Sequence, residues 1–235
     1  MKEKSLNIFT NELLIKYEIR DYPFSTILTN LFNLSSLETL HREVASLDGF
    51  NGDLGKDSES ALHKIFYTNI KKYNSDLRKT WDKFLDQVVI NNYNSNESYL
   101  VQKLPNIRIH IPGAKAINRW HCDSDDDHNH PLGEINCILP LTRMFDSNSV
   151  WRESDPNRGD FLPFDLQLGE LVYWNGNTCI HGNKVNKTDI TRVSLDFRIL
   201  SKEKYYKWLD SADSKKVQTA TMGTKFIIGS YYKTI

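Results

Sequence analysis

The stretch ITRVSLDFRIL, residues 190–200, alternates along most of its length. Successive side chains of a strand point to opposite faces. Arg192, Ser194, Asp196 and Arg198 therefore share one face, and Val193, Leu195 and Phe197 share the other. The apolar face is suited to pack against helices. The polar face turns inward, and an inward arginine needs an anionic partner because an unpaired buried charge is very costly. A guanidinium beside a hydroxyl, as in Arg192 and Ser194, is well suited to grip a carboxylate in bidentate fashion.

The same period of two recurs upstream. NIRIHIPG (106–113) sets Ile107, Ile109 and Ile111 against Arg108 and His110. GEINCILPL (133–141) sets Ile135, Cys137 and Leu139 against Glu134, Asn136 and Ile138. NSVWRES (148–154) and GELVYWNGN (169–177) read as further short strands, punctuated by Gly, Asn and Pro turns. Several short strands with long connections point to an all-β barrel or jelly roll.

Before residue 99 the period is helical. LRKTWDKFLDQVV (77–89) places Leu77, Trp81, Phe84, Leu85 and Val88 on one apolar stripe. SSLETLHREVASL (35–47) has Ser at a plausible N-cap, with Leu37, Leu40 and Val44 at helical spacing. SLNIFTNELLIKYEIR (5–20) fits helix or strand, and GFNGDLGKDSES (49–60) reads as a loop. The expected organisation is a helical support region (1–98), a jelly-roll core (99–203) and a C-terminal segment packing on that core (204–235). Together they make a single integrated domain of mainly β class with flanking helices.

Lys+Arg and Asp+Glu both number 30, so the formal net charge is zero. A balanced surface gives no electrostatic case for nucleic acid or an anionic membrane as partner. A small molecule is the expected partner. The N-terminus has no signal-like apolar run, and no stretch of apolar residues is long enough to span a membrane. The cysteines are Cys122, Cys137 and Cys179, an odd count without a CxxC. Neither a disulfide framework nor a zinc knuckle is expected, and a reducing cytoplasm is the simplest setting.

In NRWHCDSDDDHNHPLGEIN (118–136), His121 and Asp123 are two apart and can reach one point from a strand. His181 in NTCIHGN (177–183) offers a third ligand, provided that the fold closes on itself. Two histidines and one carboxylate leave opposite positions open. That pattern suits non-heme Fe(II), which must bind a co-substrate and O₂.

The ordered set His121-Cys122-Asp123, distal His181 and Arg192-Val193-Ser194 resembles the pattern of Fe(II)/2-oxoglutarate-dependent dioxygenases. HPLGEINCILPLT, NSVWRES, CIHGNKVN and TRVSLDFRI are similar to the StrG-type branch, named after a streptomycin biosynthesis protein. The similarity covers residues 105–200 and extends less specifically to KFIIGSYY in the tail. It implies a double-stranded β-helix, that is, a cupin-like jelly roll. It implies Fe(II) held by His121, Asp123 and His181, and 2-oxoglutarate and O₂ as co-substrates. Arg192 is implied as partner of the distal carboxylate, with Ser194 assisting, and Asn136 is expected to face the co-substrate. The implied reaction is hydroxylation of a C–H bond in a polar small molecule such as a sugar, an aminocyclitol or another natural-product intermediate. Succinate and CO₂ would be the co-products.

Arg198 shares a face with Arg192 and competes for the carboxylate, although the spacing and the adjacent serine favour Arg192. Asp196 and Arg198 could also form an internal ion pair. Further substrate-pocket candidates are His130, Arg108, His110 and Trp151, with Glu153 on the face of Trp151. Arg108 and His110 fit equally well as satisfied barrel residues. The aspartates at 125–127 and His128 read as a solvated loop at the mouth. The rival reading is a cupin-type metal protein, an isomerase or sensor without 2-oxoglutarate-dependent turnover. A simple cupin has no reason to carry Arg192-Val193-Ser194.

Overall fold

The computed structural model describes residues 9, 11–44, 60–92, 98–116, 119–215 and 225–235. The chain enters through strand β1 (Leu13–Lys16) and helices α1 (Phe24–Phe32), α2 (Leu40–Glu43), α3 (Ala61–Ile70) and α4 (Asp76–Phe84). Serine caps start α3 and α4. Ser60 accepts from the His63 backbone N–H and Ser75 from that of Arg78, satisfying donors that an α-helix leaves unpaired at its first turn. The expected helix over 77–89 widens into a π-helical segment, Leu85–Val89, before the short α5 (Ile90–Asn92). Its wider turn keeps Leu85, Val88 and Val89 all buried.

One sequence expectation is corrected here and one open reading is resolved. The helix anticipated over 35–47 is limited to Leu40–Glu43 and ends at an extended Val44, with 45–47 outside the described residues. Ser35 does not cap it but hydrogen-bonds the Glu43 carboxylate through both N and Oγ, a local pairing that competes with helix. Within the N-terminal stretch that fitted either state, Leu13–Lys16 is a strand paired antiparallel with residues 170–173, a 3-10 turn follows at Ile19–Asp21, and residues 5–8 and 10 lie outside the described residues. Of the loop 49–60, only Ser60 lies within the described residues.

Strands β2 (Tyr99–Gln102), β3 (Asn106–His110), β4 (Ile135–Pro140), β5 (Val150–Arg152), β6 (Leu162–Pro163), β7 (Glu170–Trp174), β8 (His181–Asn183) and β9 (Arg192–Ser201) follow, then α6 (Lys202–Leu209) and β10 (Tyr232–Thr234). The larger antiparallel sheet runs β1-β7-β4-β9-β2-β10, and β3 lies beside β9 as well. β3 pairs with Arg192–Asp196 and β2 with Ile199–Ser201, so the two follow one another along one edge of β9. The smaller sheet runs β6-β5-β8 and is extended by a bridge between His121 and His181. From β3 onward the chain crosses repeatedly between the sheets: β3 large, His121 small, β4 large, β5 and β6 small, β7 large, β8 small, β9 large. That winding is a double-stranded β-helix, a jelly roll.

The outer face of the large sheet packs on the helices. Ile107, Ile109, Cys137, Leu139, Val193, Leu195 and Phe197 share one buried cluster with Phe24, Leu28, Phe66, Trp81 and Phe84. Trp81 meets Phe197 edge-on at 5.1 Å and donates its indole N–H to the Lys103 carbonyl, so the large aromatic is buried with its polar atom satisfied. Between the sheets a second cluster, Ile138, Met144, Phe164, Leu166, Val172 and Trp174, fills one end of the barrel. The C-terminal segment forms a third with Tyr205, Trp208, Phe226, Tyr231 and Tyr232. The N-terminal segment is tied to the small sheet by a buried bidentate pair, in which Arg152 Nε and Nη2 donate to Glu12 at 2.8 and 2.7 Å. Among the described residues, no helix is long and apolar enough to cross a membrane.

Candidate metal centre

The candidate site lies beside the apolar cluster between the sheets, whose Ile138 and Trp174 line its cavity. His121 and His181 face each other across the bridge between the small-sheet segments, through paired backbone hydrogen bonds of 3.0 and 2.8 Å. Antiparallel pairing puts both side chains on one face, with ring centroids 4.5 Å apart. Asp123 lies two residues beyond His121, its backbone N–H donating to the Gly176 carbonyl. Asp123 Oδ1 is 3.6 Å from Nε2 of each histidine. Ligand atoms of the three residues lie within 4.8 Å of one another.

Each histidine is oriented from behind. Nδ1 of His121 is 3.1 Å from the Arg119 carbonyl, and Nδ1 of His181 is 3.1 Å from the Cys179 carbonyl. A carbonyl only accepts, so Nδ1 carries the proton in each ring and the lone pair is left on Nε2, facing the shared point. Burial holds His181 neutral by lowering its pKa to about 4, against the opposing pull of Asp123. Burial alone would raise the pKa of Asp123, but Arg198 together with the nearby histidines holds it well below the usual carboxylate range. Two imidazole nitrogens and one ionised carboxylate oxygen converging on one point fit a divalent metal of borderline character.

A partly open cavity adjoins these residues, lined by both histidines and by side chains of β3, β4, β7 and β9. Arg192, 2% exposed, lines it from β9 and donates through Nη1 to Ser194 Oγ at 3.0 Å. Asn136 lines it from β4, donating Nδ2 to Asp123 Oδ2 at 2.7 Å. Its Oδ1 is buried without a hydrogen-bond partner, as is Trp174 Nε1 on the paired strand. Both side chains press on Gly176, where a Cβ would come within 2.7 Å of each. A side chain there would force one of the pair to shift.

The other residues singled out in the sequence are distributed unevenly. Arg108 lines the cavity while its Nε donates to Asp196 at 2.7 Å. Arg198 also lines it, bridging Asp123 and Asp196. His110 is fully buried between the carbonyls of Asn148 and Ala114, with its pKa lowered to about 4 by burial and by Arg192. His130 is held beside Glu134 at 2.7 Å and lies tilted against Phe226 at 4.5 Å, which ties the loop after Asp123 to the C-terminal segment. Tyr232 donates to the other oxygen of the same Glu134. Trp151 donates to the Asp146 carbonyl and carries Lys184 over its ring. Glu153 accepts the backbone N–H groups of Gly159 and Ile180, fixing the approach to His181.

His128, singled out in the sequence but read there as part of a solvated loop, instead stacks on His121 at 4.2 Å and is anchored by Asp125. Other contributors carried no separate signal in the sequence. Trp174 meets the His181 ring edge-on at 4.9 Å. Ile138 and Val150 supply apolar wall, and the Asn183 amide donates to the Ser149 carbonyl beside it.

No family model matches the chain. A curated relative is the streptomycin biosynthesis protein StrG of Streptomyces griseus, 26% identical over 223 residues, or 94% of this chain and 97% of that protein. Similar solved structures include the non-heme monooxygenase ThoJ as a nickel complex, 12% identical over 81% of this chain and 74% of that one, with a TM-score of 0.49. CytC3 with Fe(II) and alpha-ketoglutarate is 13% identical over 82% and 74%, with a TM-score of 0.47. A Trichoplax adhaerens prolyl hydroxylase bound to a hypoxia-inducible-factor peptide is 14% identical over 86% and 88%, with a TM-score of 0.43. The fold assignment rests on the strand order itself.

Proposed function

We propose that the protein is a non-heme Fe(II)- and 2-oxoglutarate-dependent oxygenase that hydroxylates a C–H bond of a polar small molecule. The observation that carries this reading is the meeting of His121 Nε2, Asp123 Oδ1 and His181 Nε2 beside a cavity lined by the two histidines, Arg192 and Ser194. The donor set fits Fe(II), and the buried arginine fits the far carboxylate of 2-oxoglutarate.

The cofactor couples R–H + 2-oxoglutarate + O₂ to R–OH + succinate + CO₂, supplying the oxidising power for the reaction. The protein supplies position and environment. His121, Asp123 and His181 would hold the ion, their lone pairs pre-aimed by the backbone contacts of the two rings. Arg192 and Ser194 would bind the distal carboxylate as a charge-assisted pair. The Asn136 carbonyl oxygen and the Trp174 indole N–H would orient polar groups of the occupants. Ile138 and Val150 would exclude water from the reacting face, which strengthens each of these polar contacts.

The substrate class draws support from the relative that acts in streptomycin biosynthesis: a sugar, an aminocyclitol or another natural-product intermediate. The free thiols of Cys122, Cys137 and Cys179 accord with a reducing cytoplasm. Anaerobic Fe(II) plus 2-oxoglutarate should give a weak charge-transfer band near ~500 nm, the visible sign of chelation at an open facial site. Its absence in folded protein would sink the proposal. A panel of sugars and aminocyclitols, scored by stimulated succinate release, tests the substrate class.

A further inference from the structure

Among the described residues, the side-chain hydrogen bonds to Asp123 all fall on one oxygen. Asn136 Nδ2 donates to Oδ2 at 2.7 Å, and Arg198 Nε and Nη2 donate to the same oxygen at 3.1 and 2.9 Å. Oδ1 is left facing the two imidazoles. We propose that Arg198 is a positioning residue which, with Asn136, restricts Asp123 to one-oxygen ligation and so keeps a metal position open for the 2-oxo acid. The inference rests on the metal reading above and deepens it.

A carboxylate can bind a cation through one oxygen or both. Three donors on Oδ2 occupy its lone pairs and fix the plane of the group, so only Oδ1 is presented. A six-coordinate ion with three protein ligands keeps three positions, two for a chelating 2-oxo acid and one for O₂. A two-oxygen Asp123 would take one of them.

Arg198 is itself committed on both edges of its fork. While Nε and Nη2 hold Asp123, Nη1 donates to Asp196 Oδ2 at 2.6 Å. Asp196 is braced in turn by Arg108 Nε at 2.7 Å and Asn106 Nδ2 at 3.1 Å. The column Arg108–Asp196–Arg198–Asp123 thus fixes the ligand to β3 and β9, the strands that form one wall of the barrel. It leaves Arg198 no free edge for the distal carboxylate of a co-substrate, whereas Arg192 lines the cavity from the other end of the same strand face. Arg198 also balances the charge of Asp123, so the full charge of the ion remains to be met by a dianionic 2-oxo acid.

Mn(II) takes the same ligand types as Fe(II), and its bound waters can be counted by line broadening in isotopically labelled water. Wild-type protein should hold Mn(II) with three waters. Arg198→Met should lose one water, and affinity for 2-oxoglutarate should fall by about tenfold, the lower end for loss of an outer partner of a ligand. Pyruvate, which lacks the distal carboxylate, should lose the same factor. Three waters retained in Arg198→Met, with 2-oxoglutarate weakened and pyruvate unaffected, would make Arg198 the carboxylate anchor and overturn the proposal. Two waters on the wild-type ion overturn it without any variant, so a variant that fails to fold does not shield it. If 2-oxoglutarate displaces no water from a three-water wild-type site, the oxygenase reading fails while the clamp stands. If Mn(II) does not bind the wild type, both fall.

Discussion

The two faces of β9 carry opposite chemistries on one backbone. Outward, Val193, Leu195, Phe197 and Ile199 are at most 1% exposed and belong to one apolar cluster. Inward, Arg192, Ser194, Asp196 and Arg198 meet polar partners at hydrogen-bond distance. The outward face contributes stability through area removed from water, in proportion to size and almost regardless of identity. Inward, the charges contribute little net stability, because desolvation offsets their attraction. What those charges fix is geometry, and geometry is what a metal and an anion require. The difference teaches that stability and binding should be separable by mutation on adjacent residues of one strand.

The largest expected break in that separation is on the inner side of the barrel. His181→Ala should lower metal affinity more than ~100-fold, beyond the loss typical of an outer partner, and end 2-oxoglutarate turnover. Titration with Mn(II) measures the first effect and succinate release the second. The melting temperature of the metal-free protein should move little, and a collapse there would mean that the inner face is structural after all. Phe197→Ala should do the reverse, costing roughly 3–5 kcal/mol in denaturant unfolding with metal affinity unchanged well below the transition.

A subtler probe is His110, inward on β3. Its pKa is lowered from the ordinary 6.5 to about 4 by burial and by Arg192. Between those values the unfolded chain binds a proton that the folded chain does not. The stability contribution is therefore complete above about pH 6.5 and is lost as pH falls toward 4. The shift is worth roughly 3 kcal/mol at 1.36 kcal/mol per unit. His110→Gln should flatten the stability–pH curve over that window by about this amount relative to wild type, measured by denaturant midpoints. Equal slopes in the two proteins would show that His110 does not titrate in this way. The smallest effect is expected for Arg192→Met. It should raise the 2-oxoglutarate requirement by about 10–100-fold, the worth of a charged hydrogen bond, without changing metal affinity. An unchanged requirement would move the anchor elsewhere.

Much of this was legible because a strand has period two. The alternation in 190–200 places each residue of β9 on its side, and Ile107, Ile109, Cys137 and Leu139 follow the same rule on neighbouring strands. The stripe Leu77, Trp81, Phe84 is equally direct, since it answers the period of a helix. The apolar period over 35–47 overstates the helix because Ser35 and Thr39 find a local partner in Glu43, a side-chain contact that periodicity does not register. The strand β1 was ambiguous because an edge strand with one neighbour is specified by that neighbour, β7.

The sequence by itself determined the residue types at the site and the face on which each lies, since local backbone geometry fixes where neighbouring side chains point. It determined that His121 and Asp123 can share a target and that Arg192 turns inward. Only the tertiary structure decided what those residues meet. His181 reaches His121 because antiparallel pairing closes the small sheet. Arg198 is assigned to Asp123 because the loop after His121 folds over β9, bringing together charges that have no local relation along the chain. Hydrogen bonds and ion pairs act over a few ångströms, so partners far apart in sequence become readable only when the fold has set them side by side.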